Sequence, residues 1–291
     1  MRQQHLALCP FLSTSCNPAQ RVGRAALFST SCRLSRAQSK EDVTNNISNP
    51  RWLSDLKIRI GKCMTFGLKP DHTIEAAKIC QEIARDWRDL IAGSEGYLTG
   101  PGRKGLFRQE VVWGEMDSMG HVNNVTYNRY AESARINWAQ NFANILDPHH
   151  KKEWSQLWTP QGEGLILRSI RTDFKFPMTW PDHVTVMHKL RSKPSDETNS
   201  FILDVLILSE RHRRPAARCV EDIVVYDYKE GKKTPLRPFM LKQFRQTFEL
   251  QEQAKKKYGE RVRYLTSKVR ELEQNSWDRA DSVEDFGSAK T

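Results

Sequence analysis

Residues 115–127 read Glu-Met-Asp-Ser-Met-Gly-His-Val-Asn-Asn-Val-Thr-Tyr. They gather carboxylates, a turn glycine, a histidine and two asparagines between the end of a predicted strand and the start of a predicted helix. The first turn of a helix carries N–H groups with no intrahelical acceptor, at the positive end of the peptide dipoles. Such a terminus can hold negative charge developing on a carbonyl oxygen. Asp117, just ahead of it, could attack the carbonyl carbon or take a proton from water. This layout suits acyl transfer from sulfur to water. Plainer roles stand beside these: Asp117 and Asn123 are both residue types that cap helices. His121 could be structural. Glu132 could be a second carboxylate or could pair with Arg135 three residues on.

The elements that position these residues follow from periodicity. Residues 107–113 read as a strand. Residues 124–142 read as a long helix with Val125, Tyr127, Tyr130, Ala134, Trp138 and Phe142 along one side. Four strand-like runs follow, near 164–176, 183–192, 200–210 and 216–228. In the last, Cys219, Glu221, Ile223 and Val225 alternate with Val220, Asp222, Val224 and Tyr226. The expected architecture is α+β, an antiparallel sheet wrapping the long helix to bury its stripe. The Ser118-Met119-Gly120 turn should bring the Asp117 carboxylate back toward the N–H groups of that helix.

On these residues the chain resembles the 4-hydroxybenzoyl-CoA thioesterase-like hotdog family. The shared motif is acid-x-Asp-x-x-Gly-His-Val-Asn-Asn-x-x-Tyr, running into a helix with a central Glu. Glu115, Asp117, Gly120, His121, Val122, Asn123, Asn124, Tyr127 and Glu132 occupy its positions. Asp173-Phe174-Lys175-Phe176-Pro177 and Pro181-Asp182 resemble the family's second strand and turn. The resemblance spans about 106–240 and implies a hotdog fold: a five-stranded antiparallel sheet around a long central helix. It implies Asp117, His121 and Asn124 as catalytic groups, with Gly120, Val122, Asn123, Tyr127 and Glu132 around the substrate. It also implies sites at a dimer interface, hence a homodimer or dimer of dimers. Plant-type acyl-carrier-protein thioesterases share the His-Val-Asn-Asn run but place an Asn two residues before the His, where this chain has Met119. Glu115 stands where the family usually has Asp.

The flanks read differently. Residues 1–40 carry Arg2, Arg21, Arg24, Arg33, Arg36 and Lys40 and no acid, with frequent Ser, which predicts a mitochondrial presequence. The rest keeps about +5 of the whole chain's +11. Residues 41–105 read as a linker and helical appendage. One helix lies over 51–66. A second starts at Pro70, with a stripe of Ile74, Ala77, Cys80, Ile83, Trp87, Leu90 and Ile91. Residues 106–238 form the hotdog. Residues 239–275 form a basic helix whose apolar spacing resembles a coiled-coil seam broken by Gln251 and Lys255. Residues 276–291 read as a disordered tail.

No apolar run reaches the roughly 20 residues that span a bilayer, so the chain reads as soluble. The longest candidate, Phe201 to Leu208, is interrupted by Asp204. The cysteines show no metal-ligand spacing, and no metal or cofactor is expected. Cys63, Cys80 and Cys219 read as small buried hydrophobes. The loop Arg211-His212-Arg213-Arg214 reads as a solvated hairpin or a contact for coenzyme A phosphates. Two functions remain open: an acyl-CoA or acyl-carrier-protein thioesterase of the mitochondrial matrix, and a non-catalytic hotdog scaffold for a mitochondrial protein or RNA partner. Nucleic acid is disfavoured because no aromatic platform interleaves with the basic residues. A dehydratase of the same fold lacks its usual paired Asp and His.

Overall fold

The computed structural model describes residues 51–160 and 162–279. The presequence expected over 1–40, the linker over 41–50 and residues 280–291 of the expected tail lie outside these residues. Two helices open the described chain, α1 (Trp52–Phe66) and α2 (Pro70–Arg88), the latter continuing into a π-turn over Asp89–Gly93. Strand β1 (Lys104–Val111) leads through a 3-10 turn at Trp113–Glu115 to the long helix α3 (Asn124–Asn141). After the short α4 (Lys151–Gln156) come β2 (Glu163–Phe174), β3 (Asp182–Leu190), β4 (Ser200–Ser209) and β5 (Arg214–Asp227). A two-residue β6 (Lys232–Lys233) and a 37-residue helix α5 (Pro238–Gln274) complete the order.

The strands form one sheet in the order β1-β3-β4-β5-β2, with β6 added beside β5. All pairings are antiparallel. This is the expected hotdog arrangement, with a sixth strand too short to show a periodicity in the sequence. Tyr127, Tyr130, Ala131 and Ala134 of α3 pack on Val184, Val186, Val205, Ile207, Ala217 and Cys219 of the inner sheet face. Of the α3 stripe, only Val125 is turned to solvent. Close approach of β1 to α3 requires Gly105: a Cβ there would lie 2.3 Å from the Ala134 carbonyl oxygen.

The outer sheet face is also covered. Met187, Leu206 and Leu208 join Leu53, Leu56 and Ile60 of α1, Ile79, Ile83 and Trp87 of α2, and Val262, Leu265 and Val269 of α5 in one core. The apolar seam of α5 is therefore consumed within the chain, which corrects the coiled-coil reading. Gln251, read as a break in that seam, is buried and caps the β3 end. Its amide donates to the Leu190 carbonyl at 2.9 Å and accepts from the Leu190 N–H at 3.0 Å. The α2 stripe is rotated from the expected one. Ala76 and Ile79 are buried, while Ile74, Ala77 and Cys80 are exposed. Residues 276–278, expected to begin a disordered tail, instead dock on α1. Ser276 Oγ donates to the Cys63 carbonyl at 2.9 Å, and Lys62 lies 3.5 Å over the Trp277 ring. Among the described residues no helix is long and apolar enough to cross a membrane.

One polar cluster is enclosed between α3 and the sheet. Arg135 Nη1 donates to Glu221 Oε1 at 2.6 Å, with both side chains nearly solvent-free. His188 Nε2 lies 3.4 Å from Glu221 Oε2 without hydrogen-bond alignment. The i,i+3 pairing of Arg135 with Glu132 does not form, because Arg135 turns inward. Breaking a buried pair leaves one charge without a partner, whereas replacing both with apolar groups removes the desolvation penalty. Glu221→Gln should therefore destabilise the domain by about 3–5 kcal/mol. Arg135→Met with Glu221→Leu should recover most of that loss. Chemical denaturation of both variants checks this, and an unchanged midpoint for Glu221→Gln would refute the pairing.

Candidate active site

The loop from β1 to α3 is a small structure built by its own side chains. Val111 closes β1 against Asp182, and the chain then turns through Trp113–Glu115. Glu115 Oε2 accepts the Val112 N–H at 3.0 Å and the Tyr130 hydroxyl at 2.5 Å, which ties the turn to the second turn of α3. Burial, and then the bond to Glu115, push the Tyr130 phenol well above its ordinary pKa, so it stays a donor. Met116 and Val122 bridge across the loop, and Val122 N–H donates to the Met178 carbonyl at 2.8 Å. Tyr127, buried beneath, accepts the Met178 N–H on its hydroxyl at 3.2 Å. The β1–α3 loop is thus anchored to both α3 and the segment before β3.

Inside this frame Asp117 heads a tight turn. Its N–H donates to the His121 carbonyl at 2.8 Å, and Gly120 N–H returns to the Asp117 carbonyl at 3.0 Å. Gly120 takes φ +74°, a backbone region that L side chains disfavour. Asp117 Oδ1 accepts from Met119 N–H at 2.9 Å and more weakly from His121 N–H at 3.4 Å. The carboxylate therefore binds its own turn rather than the first turn of α3, which corrects the expected path. Its Oδ2 takes no hydrogen bond from the described residues, and the side chain is exposed.

The α3 cap is Asn123. Its Oδ1 accepts the Val125 N–H at 2.9 Å, and its carbonyl accepts Thr126 N–H at 2.9 Å. Among the described residues this leaves the Asn124 N–H without an acceptor, at the positive end of an 18-residue helix. Asn124 is exposed, His121 is half-buried, and Glu132 lies on the exposed side of α3 with Arg129 and Ser133. The structure thus brings Asp117, Gly120, His121, Val122, Asn123 and Asn124 into one continuous turn and helix start. It places Tyr127 beneath them and Glu132 along the helix. Sequence reasoning missed the Glu115–Tyr130 bond, although the 15-residue separation puts Tyr130 two turns into a helix that starts beside Glu115.

Large apolar side chains surround the turn and face solvent: Val112, Trp113, Met119 and Val125, with Trp113 at 70% and Met119 at 77% exposure. The free edge of β2 runs along the same sheet, and Thr172 Oγ1 on it donates to Asn128 Oδ1 of α3 at 2.6 Å. Among the cysteines of the described residues, Cys219 is the one nearest this helix, and it does not suit nucleophilic chemistry. Cys219 lies beneath α3, where burial pushes its thiol up to about 11.

A family profile described as the thioesterase-like superfamily matches residues 111–244. That segment has the hotdog fold and is similar to the thioesterase-like superfamily. The match starts at the last residue of β1, takes in the whole β1–α3 loop and ends in the first turns of α5, so α1 and α2 stand outside it. A comparison with curated proteins finds no match. Among solved structures, the hotdog domain is similar to a thioesterase from Thermus thermophilus, complexed with coenzyme A and Zn. That likeness has 20% identity and TM-score 0.39 over 52% of this chain and 98% of that one. It is also similar to a DHNA-CoA thioesterase from Staphylococcus aureus (15% identity, TM-score 0.41, 50% of this chain and 92% of that one). A third is Slr0204, a 1,4-dihydroxy-2-naphthoyl-CoA thioesterase from Synechocystis (19%, 0.39, 47% and 93%).

Proposed function

We propose that the chain is an acyl thioesterase that hydrolyses an acyl-CoA or acyl-carrier-protein thioester in the mitochondrial matrix. The observation that carries this reading is the state of Asp117. One carboxylate oxygen is held by backbone N–H groups of its turn and the other is presented to solvent, within a segment matching the thioesterase-like superfamily. The fixed oxygen keeps the group oriented, and the presented one is positioned to take a proton from water or to attack carbon. The Asn124 N–H supplies a donor for the oxyanion. His121 orients the water, Asn123 holds the helix start that aims the donor, and Gly120 and Val122 keep the turn in shape. Tyr127 supports the floor, and Glu132 borders the acyl group.

The reading includes a homodimer. A lone domain leaves Trp113, Met119 and Val125 in water beside the site, and a 12-residue edge strand unpaired. Pairing through that edge would cover both. The outer sheet face is already occupied by α1, α2 and α5, so a dimer of dimers would have to use another surface.

Three outcomes follow. Asp117→Asn keeps the turn's hydrogen-bond acceptor but removes the base, so thioester hydrolysis should fall on the order of 100-fold or more with folding near normal. Parent-like hydrolysis by this variant would remove Asp117 from the chemistry. If neither protein cleaves any thioester in a broad acyl panel, the scaffold reading replaces the enzyme. Sedimentation at micromolar concentration should give a dimer, and a monomer alone would defeat the pairing. The matrix location rests on the acid-free, Arg-rich start. Terminal sequencing of the cell-derived protein should find cleavage between about Arg24 and Lys40, and an intact Met1 in matrix protein would contradict it.

A further inference from the structure

A cleft of about 410 Å³ opens on the outer side of the sheet, between α2 and the turn joining β4 to β5. Trp87 and Arg88 of α2 form one wall, Arg108 of β1 another, and Arg211 and Arg213 of the turn a third. Both carboxylates that line it are committed to the fold. Asp182 accepts from Ser209 Oγ at 2.5 Å, its neighbour's His183 N–H at 2.6 Å and Arg211 N–H at 3.0 Å. Glu210 is gripped by the Arg88 guanidinium through both of its oxygens and accepts from Thr185 Oγ1 at 2.6 Å. The side chains of Arg108, Arg211 and Arg213 are left with no ion pair among the described residues.

The backbone singles out the same place. Among the described residues two non-glycines take positive φ, and both are arginines of this cleft: Arg108 at +51° and Arg213 at +50°. Arginine rarely adopts that region, and such outliers gather where a ligand is held. Lys57 adds to the field, since burial and then the nearby Arg213 charge hold its ammonium below the ordinary lysine range.

We propose that this cleft binds a phosphate-bearing ligand through the guanidinium groups of Arg108, Arg211 and Arg213. Three unpaired guanidinium forks suit a group with two or more negative charges and several acceptor oxygens, and their planar donors match phosphoryl oxygens pairwise. A lone carboxylate would leave two of the three cations uncompensated. Trp87, Arg88 and Arg108 lie outside the segment 111–244, so the site joins the helical appendage to the hotdog domain. It is built from residues separate from the Asp117 turn and does not depend on the thioesterase reading.

Calorimetric titration of the full chain with inorganic pyrophosphate, a nucleoside 3′,5′-bisphosphate and coenzyme A tests the site. At low salt at least one should bind saturably, and the tightest identifies the source of the phosphate. Arg211→Ala and Arg213→Gly should each weaken that binding about tenfold or more, the loss expected for a charge-assisted contact. Glycine accepts the φ of position 213, so that variant keeps its fold. Lys193→Ala, an exposed lysine paired with Glu249, should leave binding unchanged. Absence of saturable binding in all three arms overturns the proposal, and so does binding that survives both arginine substitutions together. Hydrolysis of a phosphate-free thioester by the same variants reports the Asp117 chemistry separately.

Discussion

A sheet that is apolar on both faces needs two covers, and the rest of this structure follows from meeting that demand within one chain. β4 shows it most directly. Phe201, Leu203, Val205 and Ile207 face the side of α3, and Leu206 and Leu208 face the opposite side. Burial on both faces removes the polar alternation that a half-exposed strand would show. The run that looks most like a membrane segment in the sequence is thus a central strand. A single helix can cover only one face of such a sheet. The other is closed by α1, α2 and the C-terminal half of α5, which accounts for segments outside the hotdog domain.

Covering the outer face has consequences for the charges. Glu95, in the loop after α2, grips Arg218 of β5 through both oxygens at 2.6 Å, and its carbonyl accepts Lys189 Nζ of β3 at 2.6 Å. Arg59 of α1 reaches Glu273 of α5 at 2.6 Å. These pairs fix how the appendage sits, while the apolar core beneath supplies the larger share of the driving force, because partly exposed ion pairs contribute little. On the inner face the enclosed Arg135–Glu221 pair plays a different part. Its net contribution to stability is small once desolvation is counted, yet it disfavours any rotation of α3 that would part the charges.

The Asp117 turn lies at the rim left between these covers. Its hydrogen bonds are short-range, within five residues. What surrounds it is long-range: Met178 from before β3, Tyr127 and Tyr130 from α3, and exposed Trp113 and Met119. A local turn on a rigid rim keeps a carboxylate oriented without burying it.

The sequence by itself determined the local pieces. Strand alternation, the α3 stripe and the Asp117 to Tyr127 motif all follow from spacing, because side-chain direction repeats with the backbone period. It also carried the fold class, since one long helix stripe and five strands admit few arrangements. Tertiary structure alone decided which charges meet. Arg135 has a possible partner three residues away in Glu132, but its real one, Glu221, is 86 residues on, because the inward side of α3 is set by its tyrosines and alanines. The α5 seam gives the same lesson. Its heptad spacing records an apolar stripe and not the identity of the surface that meets it, and only the folded sheet shows that surface to be the chain's own. Of the cleft arginines, Arg211 and Arg213 stand out in sequence as a basic loop, but Arg108, 103 and 105 residues before them, has no such signature, because the pairing of β1 with β3 and of β3 with β4 is what brings it to them.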